Sequence, residues 1–409
     1  MQRISMVLLM LYAFAVPWEY SFDLGEPLGN VARMLGILLL LAAIPAVLRR
    51  GVFRKPGALQ WLVLALYLYF ACSYFWTVDT QATLSKLRAY FQVMMVVWIA
   101  WEVAETPREL RALLRSFVAG CWVLAILTLL NYTSANASAN TAALEQIRFV
   151  AEGQDPNDVA RFLDLGFPLA ALLFATDSRW VARLLAICYV PAGLLAVLLT
   201  ASRGGFSGAF AALVGSAMVL VVWRPRAASM IFLGLAATAS ALWLYIPADS
   251  VARLLTIPEQ ISSGDLNERL GIWVSGWHAF RLAPWWGYGA GTFAGASHLA
   301  TEDTAHNTVM AVLVTGGLAG TAIFSATLAT VVRAAARTRG LIRVAMGTVL
   351  VVWAITSMVG SVEENRTTWL LFGLIGLAGR FEAEQADAMS EVFSGCGRED
   401  TGEQVYAVR

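Results

Sequence analysis

Two long apolar runs around a short polar turn decide the fold. Residues 180–199 read WVARLLAICYVPAGLLAVLL, residues 200–205 read TASRGG and residues 206–223 read FSGAFAALVGSAMVLVVW. Each run has about the 20 residues that an α-helix needs to cross the hydrocarbon core of a bilayer. A turn this short makes the two helices antiparallel neighbours. This stretch therefore predicts a membrane-spanning helical hairpin.

The rest of the chain repeats the pattern. Its 409 residues are 58% hydrophobic and only 14% charged, a composition that is not typical of a soluble domain. We predict an all-α integral membrane protein with about twelve transmembrane helices. The apolar runs lie near 4–17, 31–48, 58–76, 89–104, 111–131, 158–176, 180–199, 204–223, 227–246, 305–332, 342–360 and 367–380. The net charge of +1 gives no reason to expect a nucleic-acid partner.

The orientation follows from the basic residues, because Lys and Arg are retained on the cytoplasmic side during insertion. Alternate loops are basic, and their residues are Arg49, Arg50, Arg54 and Lys55; Arg108 and Arg111; Arg179 and Arg183; Arg224 and Arg226; and Arg333, Arg337, Arg339 and Arg343. The other loops are predicted to face outward. We expect a membrane domain over 1–380 with a large periplasmic loop over 247–305, and a polar, disordered cytoplasmic tail over 381–409.

The 247–305 segment is too long for a simple connection, and such loops are usually functional. Residues 265–282 place apolar side chains at helical spacing, which predicts an amphipathic helix on the membrane surface or over a cavity. The following Pro284-Trp285-Trp286-Gly287-Tyr288-Gly289-Ala290-Gly291 ends that helix, because proline removes a donor and glycine favours turns.

Two residues carry the strongest chemical signal. Arg203 lies in a glycine-rich turn before an apolar helix, where free amides and a guanidinium suit a phosphate; the alternative is an interfacial anchor. His306 begins another apolar helix after the long loop, so it can face a water-filled cavity and act as a base near neutral pH. The alternative for His306 is a hydrogen-bonded structural histidine. Asn307 follows it and is a candidate for substrate binding.

Further candidates lie on the same predicted side. Asp155 and Arg161 are candidates for substrate binding. Asp155 precedes the helix that contains Arg161, and the alternative for Asp155 is a helix N-cap. Arg269 starts the loop helix, where a solvated ion pair is the alternative. Arg366 lies between the last two helices, where a structural ion pair competes with ligand contact.

No metal site or cofactor is predicted. No second histidine or carboxylate lies at metal-ligand spacing from His306. The cysteines fall in apolar runs or in the polar tail, which favours neither a disulfide framework nor a thiolate site.

Five motifs together resemble a known family. They are Asp155-Pro156-Asn157-Asp158, Ser202-Arg203-Gly204-Gly205, Glu268-Arg269 with Trp273, Gly287-Tyr288-Gly289-Ala290-Gly291, and His306-Asn307-Thr308. In this order, on this topology and over roughly residues 150–370, they resemble the O-antigen ligase family. Its superfamily also contains O-antigen and exopolysaccharide polymerases.

The resemblance implies a GT-C-type, metal-independent glycosyltransferase at the periplasmic face of the bacterial inner membrane. The implied donor is a glycan on undecaprenyl diphosphate, and the implied acceptor is a lipid A-core sugar hydroxyl. The family's catalytic residues match Arg203, Arg269 and His306 here. Because the spacing from Arg269 to His306 is compact for the family, Arg281 remains an alternative for contact with the diphosphate.

The same residues make chemical sense without the family. Fixed guanidinium groups can stabilise the charge on a departing diphosphate, and a neutral imidazole can deprotonate an acceptor hydroxyl, which gives direct, inverting displacement. The alternatives are a polymerase of the same superfamily and a transporter of lipid-linked polysaccharide. A transporter would be expected to have charged residues at mid-membrane and inverted repeats, and the sequence shows neither.

Overall fold

The computed structural model describes residues 2–25, 29–137, 148–255, 269–300 and 304–396. Within those ranges every regular element is helical, apart from one isolated bridge between Asp23 and Asn30. Several of the helices are long and apolar enough to span a membrane. The prediction of an all-α integral membrane protein is therefore confirmed.

Fifteen α-helices are found in the described ranges. In chain order they are α1 (Gln2–Ala15), α2 (Val31–Arg50), α3 (Ala58–Cys72), α4 (Thr80–Val103), α5 (Pro107–Ala137), α6 (Pro156–Thr176), α7 (Trp180–Leu199), α8 (Arg203–Trp223), α9 (Ala228–Trp243), α10 (Ala248–Leu255), α11 (Arg269–Leu282), α12 (Phe293–Ala296), α13 (Thr308–Arg337), α14 (Gly340–Ser357) and α15 (Arg366–Cys396).

All twelve predicted spans fall in helices, but only ten described helices meet the length and hydropathy expected of a membrane span. The two exceptions are α4 and α15, which contain the runs predicted near 89–104 and 367–380. They have 24 and 31 residues, more than the roughly 20 needed to cross. Polar residues at the start of α4 and along the second half of α15 lower their mean hydropathy.

Helix α6 lies at the centre of the bundle. Every residue from Val159 to Leu173 is buried, because α6 packs against α5, α7, α8 and α14. Small residues allow close packing of membrane helices, and here a Cβ added at Gly205 of α8 would lie 2.2 Å from the Cβ of Ala160. The first turns of α6 and α8 are therefore held together. By contrast, α9 has no buried residue and lies at the periphery against α7 and α8.

The two ends of the bundle are named here after one residue each. Helices α4, α6, α8, α13 and α15 begin at the same end, called the His306 end. Helices α3, α5, α7 and α14 begin at the opposite end, called the Arg380 end. The motifs singled out in the sequence all lie at or near the His306 end.

The beginning of the tail differs from the prediction of disorder. Helix α15 continues past Arg380 as far as Cys396. Arg380 lies 3.4 Å from Glu384, and Glu382 lies 3.6 Å from Arg339 at the start of α14. Both ion pairs lie where the helix leaves its apolar part. Residues 397–409 lie outside the described ranges.

The loop helix predicted over 265–282 is found as α11 from Arg269, and residues 256–268 lie outside the described ranges. One face of α11 buries Gly276, Ala279 and Phe280, and the helix packs against α12 and α13. Val274 and Trp277 are exposed. Leu270 is exposed as well, so apolar side chains lie on both sides of α11 and the predicted amphipathic division is not observed. The buried side packs against the helix that His306 precedes.

A break in α13 fixes this loop to the bundle. Gly317 has φ 58° and ψ −163°, which interrupts the helical hydrogen bonding. The segment 284–289 fills the break: Leu318 N donates to Pro284 O at 2.7 Å, and Gly289 N donates to Thr315 O at 2.9 Å. A Cβ added at Gly317 would lie 2.6 Å from this segment's backbone. Non-helical backbone at membrane depth is tolerated only when other protein groups satisfy it, and here the loop does so.

Candidate active site

The turn that contains Arg203 is held by hydrogen bonds from three sides. Ala201 in this turn has φ 47°, a left-handed conformation that is rare outside glycine. Ser202 caps α8 by accepting a bond from Gly205 N at 3.1 Å and donates its hydroxyl to Asn157 Oδ1 at 2.7 Å. Arg253 Nε donates to Ala201 O at 3.3 Å. The N-terminus of α8 and the Arg203 side chain are therefore fixed in place.

Four arginines gather around this turn. Arg203 Nε donates to Arg253 O, and Arg148 Nε donates to Thr200 O, at 3.3 and 3.1 Å. Burial lowers the pKa of the Arg148 guanidinium, and the charges of Arg253, Arg269 and Arg203 lower it further. Groups interact in this way only when they are near one another. Arg148, Arg203, Arg253 and Arg269 are called the arginine cluster below.

Asp155 lies beside the arginine cluster. Burial lowers the pKa of the Arg269 guanidinium, the Asp155 carboxylate raises it, and Arg203 lowers it. The Asp155 side chain also caps α6 by accepting bonds from Asn157 N and Asp158 N at 2.8 and 3.3 Å. Its position as an N-cap is therefore observed, and the same carboxylate lies where it acts on Arg269.

His306 occupies a strained position. It has φ 46°, and a left-handed non-glycine residue costs about 1–3 kcal/mol and persists only where its surroundings impose it. Those surroundings are present on both sides. Trp273 of α11 donates to Ala305 O at 2.9 Å, while Asn307 caps α13 by accepting from Met310 N at 3.0 Å and donates to Met358 O at 3.3 Å. The contact from Trp273 connects His306 to the helix that begins at Arg269.

Asp158 links the histidine to the arginine cluster. It lies within electrostatic range of both His306 and Asp155, and Asp155 acts in turn on Arg269. Asp158 Oδ1 also lies 2.8 Å from Arg161 Nη2, whose side chain is only 4% exposed. The chain of interactions His306, Asp158, Asp155 and Arg269 brings residues from α6, α11 and the start of α13 to one region.

A buried carboxyl group lies at the edge of this region. One oxygen of Glu363 has no hydrogen-bond partner. Burial and the neighbouring Glu364 raise the pKa of Glu363 to about 7, against opposing effects from Lys86 and Arg161. Thr308 binds the same loop by donating to Gly360 O at 2.9 Å. The loop between α14 and α15 therefore closes over Arg161 and the start of α13.

Two predicted residues lie apart from the others. Arg281 is at the opposite end of α11 from Arg269, about 18 Å away along a helix that rises 1.5 Å per residue. Arg366 is engaged in a buried network, with Nη1 2.5 Å from Glu19 Oε2 and Nη2 2.7 Å from Gln92 Oε1. For Arg366 the structural ion pair is therefore the observed role, and the arginine cluster contains Arg269 rather than Arg281.

The sequence reasoning missed Arg148 and Arg253. Arg148 lies in the connection before α6 and Arg253 lies in the last turn of the short helix α10, and neither is beside a glycine-rich motif. Only the tertiary fold brings them to the Arg203 turn. Asp158 was noticed as part of a motif but was not assigned a role. Within the described ranges, no three His, Cys, Asp or Glu side chains gather as a metal site.

The site can therefore hold an anion beside a base. Helices α6, α8 and α13 all begin here, and helix N-termini attract negative charge. The arginine cluster adds guanidinium groups that can hold phosphate oxygens in pairs. His306 contributes an imidazole, the side chain suited to proton transfer near neutral pH.

Comparison with known proteins agrees with this geometry. Residues 188–325, about a third of the chain, match the family model described as O-antigen ligase. The matched part contains Arg203, Arg253, Arg269 and His306. No curated protein matches the chain significantly. The part of the chain that contains these four residues is therefore similar to the O-antigen ligase family.

Proposed function

We propose that this protein is an O-antigen ligase, which transfers a glycan from undecaprenyl diphosphate to a sugar hydroxyl of lipid A-core. The family implies a glycosyltransferase-like ligase or polymerase activity in general. The observation that carries the more specific proposal is the arginine cluster at a set of helix N-termini with His306 nearby. Such a cluster fits a lipid-linked diphosphate much better than it fits a neutral substrate.

The arginine cluster acts on the leaving group. When the bond between the anomeric carbon and the diphosphate oxygen breaks, negative charge develops on that oxygen. Fixed cations stabilise this charge more in the transition state than in the bound donor, which lowers the barrier. Arg203 and Arg269 take this role, and Arg148 and Arg253 hold the turn and add to the field. Transfer is therefore expected to continue in the presence of EDTA.

His306 acts on the acceptor. The acceptor hydroxyl attacks the anomeric carbon from the face opposite the diphosphate, so the configuration inverts and no covalent enzyme intermediate forms. Its proton passes to the His306 imidazole, and undecaprenyl diphosphate leaves with the bonding electron pair. Asp158 stabilises the imidazolium by its charge, and Asn307 fixes the position of the first turn of α13. The new glycosidic bond thus replaces the bond between the anomeric carbon and the diphosphate, and the hydroxyl proton moves to the imidazole.

The membrane setting supports two lipid-linked substrates. Apolar helices surround a polar site at one end of the bundle, so two lipid tails can stay in the bilayer while their head groups meet. The Lys and Arg residues lie mainly in the loops at the Arg380 end, which favours a cytoplasmic location for that end. The His306 end then faces the periplasm of a bacterial inner membrane.

A purified-enzyme assay tests the proposal. The protein is incubated with lipid-linked O-antigen and either lipid A-core or a second molecule of the lipid-linked donor, and the products are separated by gel electrophoresis. Transfer to lipid A-core is expected. Transfer only to the second donor would identify a polymerase of the same superfamily instead. Movement of the donor between leaflets without any new glycosidic bond would favour a transporter.

A further inference from the structure

A cavity lies at the membrane-facing side of the bundle, between α2 and α4. Its volume is about 460 Å³, within the range of about 300–1,000 Å³ typical of pockets for small molecules. Its walls are mainly apolar and include Ile37, Leu40, Leu84, Leu87 and Phe91. Ile37, Leu84 and Phe91 are also exposed at the outside of the bundle, so the cavity opens toward the acyl chains of the bilayer.

Two arginines line this cavity near the His306 end. Arg33 lies in the first turn of α2, and Arg88 lies on α4. Neither guanidinium makes an ion pair or a hydrogen bond with the described parts of the chain. Basic side chains at this level of a membrane attract anionic lipid head groups. Apolar walls below two such arginines match a lipid with a negatively charged head group.

The cavity is separated from the candidate active site. Arg366 forms part of its inner wall and is tied to the fully buried Glu19 and to Gln92. Glu19 in turn lies within electrostatic range of Asp158. The ion pair between Arg366 and Glu19 therefore stands between the cavity and the residues around His306. A head group held by Arg33 and Arg88 stays on the far side of that pair from the arginine cluster.

We propose that this cavity binds an anionic phospholipid of the bilayer that takes no part in the reaction. One acyl chain occupies the apolar space between α2 and α4, and the second chain stays in the bilayer. The phosphate is held by Arg33 and Arg88. The separation from the arginine cluster argues for a bound membrane lipid and against the reacting donor.

Native mass spectrometry of the purified full chain tests this inference. The protein is mixed with phosphatidylglycerol, phosphatidylcholine or a polyprenyl phosphate. The wild type is expected to retain one phosphatidylglycerol, and Arg33→Gln combined with Arg88→Gln is expected to bind it about tenfold more weakly. Arg49→Gln is the matched control, because Arg49 is an exposed arginine at the other end of α2.

A second variant addresses the apolar part of the cavity. Leu40→Trp fills the space while keeping both arginines, and it is expected to lower phosphatidylglycerol binding while thermal stability stays near the wild-type value. The inference is overturned if phosphatidylcholine is retained equally well, or if the arginine and tryptophan variants bind like the wild type. It is also overturned if polyprenyl phosphate displaces phosphatidylglycerol through the same arginines. The transferase assay is separate, so loss of the proposed function leaves this result unchanged.

Discussion

The arginine cluster and the ion-paired arginines elsewhere in the bundle differ in their described partners. The ion-paired arginines meet carboxylates: Arg50 pairs with Glu102 and Arg115 with Asp177 at the Arg380 end, and Arg366 pairs with Glu19 at the His306 end. At the His306 end, the described bonds of Arg148, Arg203 and Arg253 include main-chain carbonyl acceptors, and the arginines act on one another through their charges.

The two kinds of partner have different effects on an arginine. A carboxylate partner neutralises an arginine and joins two helices, whereas a carbonyl partner fixes the orientation of the guanidinium and leaves its positive charge in place. Backbone strain follows the same division. Among the described residues, those with positive φ other than glycine are Ala201, His298 and His306, and all three lie at the His306 end. Strained residues cluster at sites where function needs a fixed geometry.

The largest effect is expected from His306. His306→Asn keeps a residue that tolerates left-handed φ but removes the base, so the turnover number should fall about 10²- to 10⁴-fold. Donor binding and thermal stability should stay close to wild type. His298→Asn is the matched control, since His298 has φ 54° and lies in the same loop. Turnover near the wild-type rate in the His306 variant would refute the general-base role.

The next effect concerns the arginine cluster. Arg203→Ala should lower kcat/KM for the lipid-linked donor about 10²-fold, and Arg203→Lys should recover only part of it, because lysine lacks the paired donors of the guanidinium. Arg148→Ala should give a smaller loss of the same kind. Arg281→Ala should be close to wild type, since Arg281 lies at the far end of α11. Equal losses for Arg203→Ala and Arg281→Ala would contradict a role in donor binding that is specific to the arginine cluster.

The Arg380 end should respond in stability and not in chemistry. Arg380 donates to Trp101 O and Ala104 O at 2.8 and 2.5 Å and lies over the Trp101 ring at 4.7 Å. Arg380→Leu leaves these carbonyls without that donor and should cost about 2–3 kcal/mol of unfolding free energy. Transfer per folded molecule should be unchanged. Arg49→Leu serves as the control, because Arg49 is exposed. A loss of turnover in Arg380→Leu alone would contradict a purely structural role for Arg380.

The smallest effect is a pH dependence. Because the folded-state pKa of Glu363 is about 7, above its ordinary 4.5, the unfolded chain loses this proton first as pH rises. Stability should therefore fall between about pH 4.5 and 7 and stay level above that range. Glu363→Gln should remove this fall and stabilise the protein by about 1–2 kcal/mol at pH 8. Glu364→Gln is the comparison variant and should instead destabilise, because it breaks the ion pair with Lys86.

Much of the fold could be predicted because apolar length is a strong local signal. The runs that became α7 and α8 needed no tertiary information. The sequence was less informative for α4 and α15, which are buried against each other and against neighbours and so tolerate polar residues. The helical tail as far as Cys396 was missed because ion pairs such as Arg339–Glu382 depend on the packing of α14 beside α15.

The candidate site could be predicted where a local motif marked it. The glycine-rich turn pointed to Arg203, and the start of an apolar helix pointed to His306. Arg148 and Arg253 carry no such mark, because they reach the site through hydrogen bonds that include carbonyl groups far away in the chain. The choice between Arg269 and Arg281 also needed the structure, since the two lie at opposite ends of one helix.

The interrupted helix at Gly317 has a consequence for biogenesis. Its open amide and carbonyl groups are covered by residues 284–289, which a ribosome makes before it makes α13. This covering segment is therefore already synthesised when the break in α13 enters the bilayer, and the peptide groups at the break need not wait for a later part of the chain. Lengthening the connection between residue 289 and His306 should slow maturation of the newly made protein more than it alters the finished one.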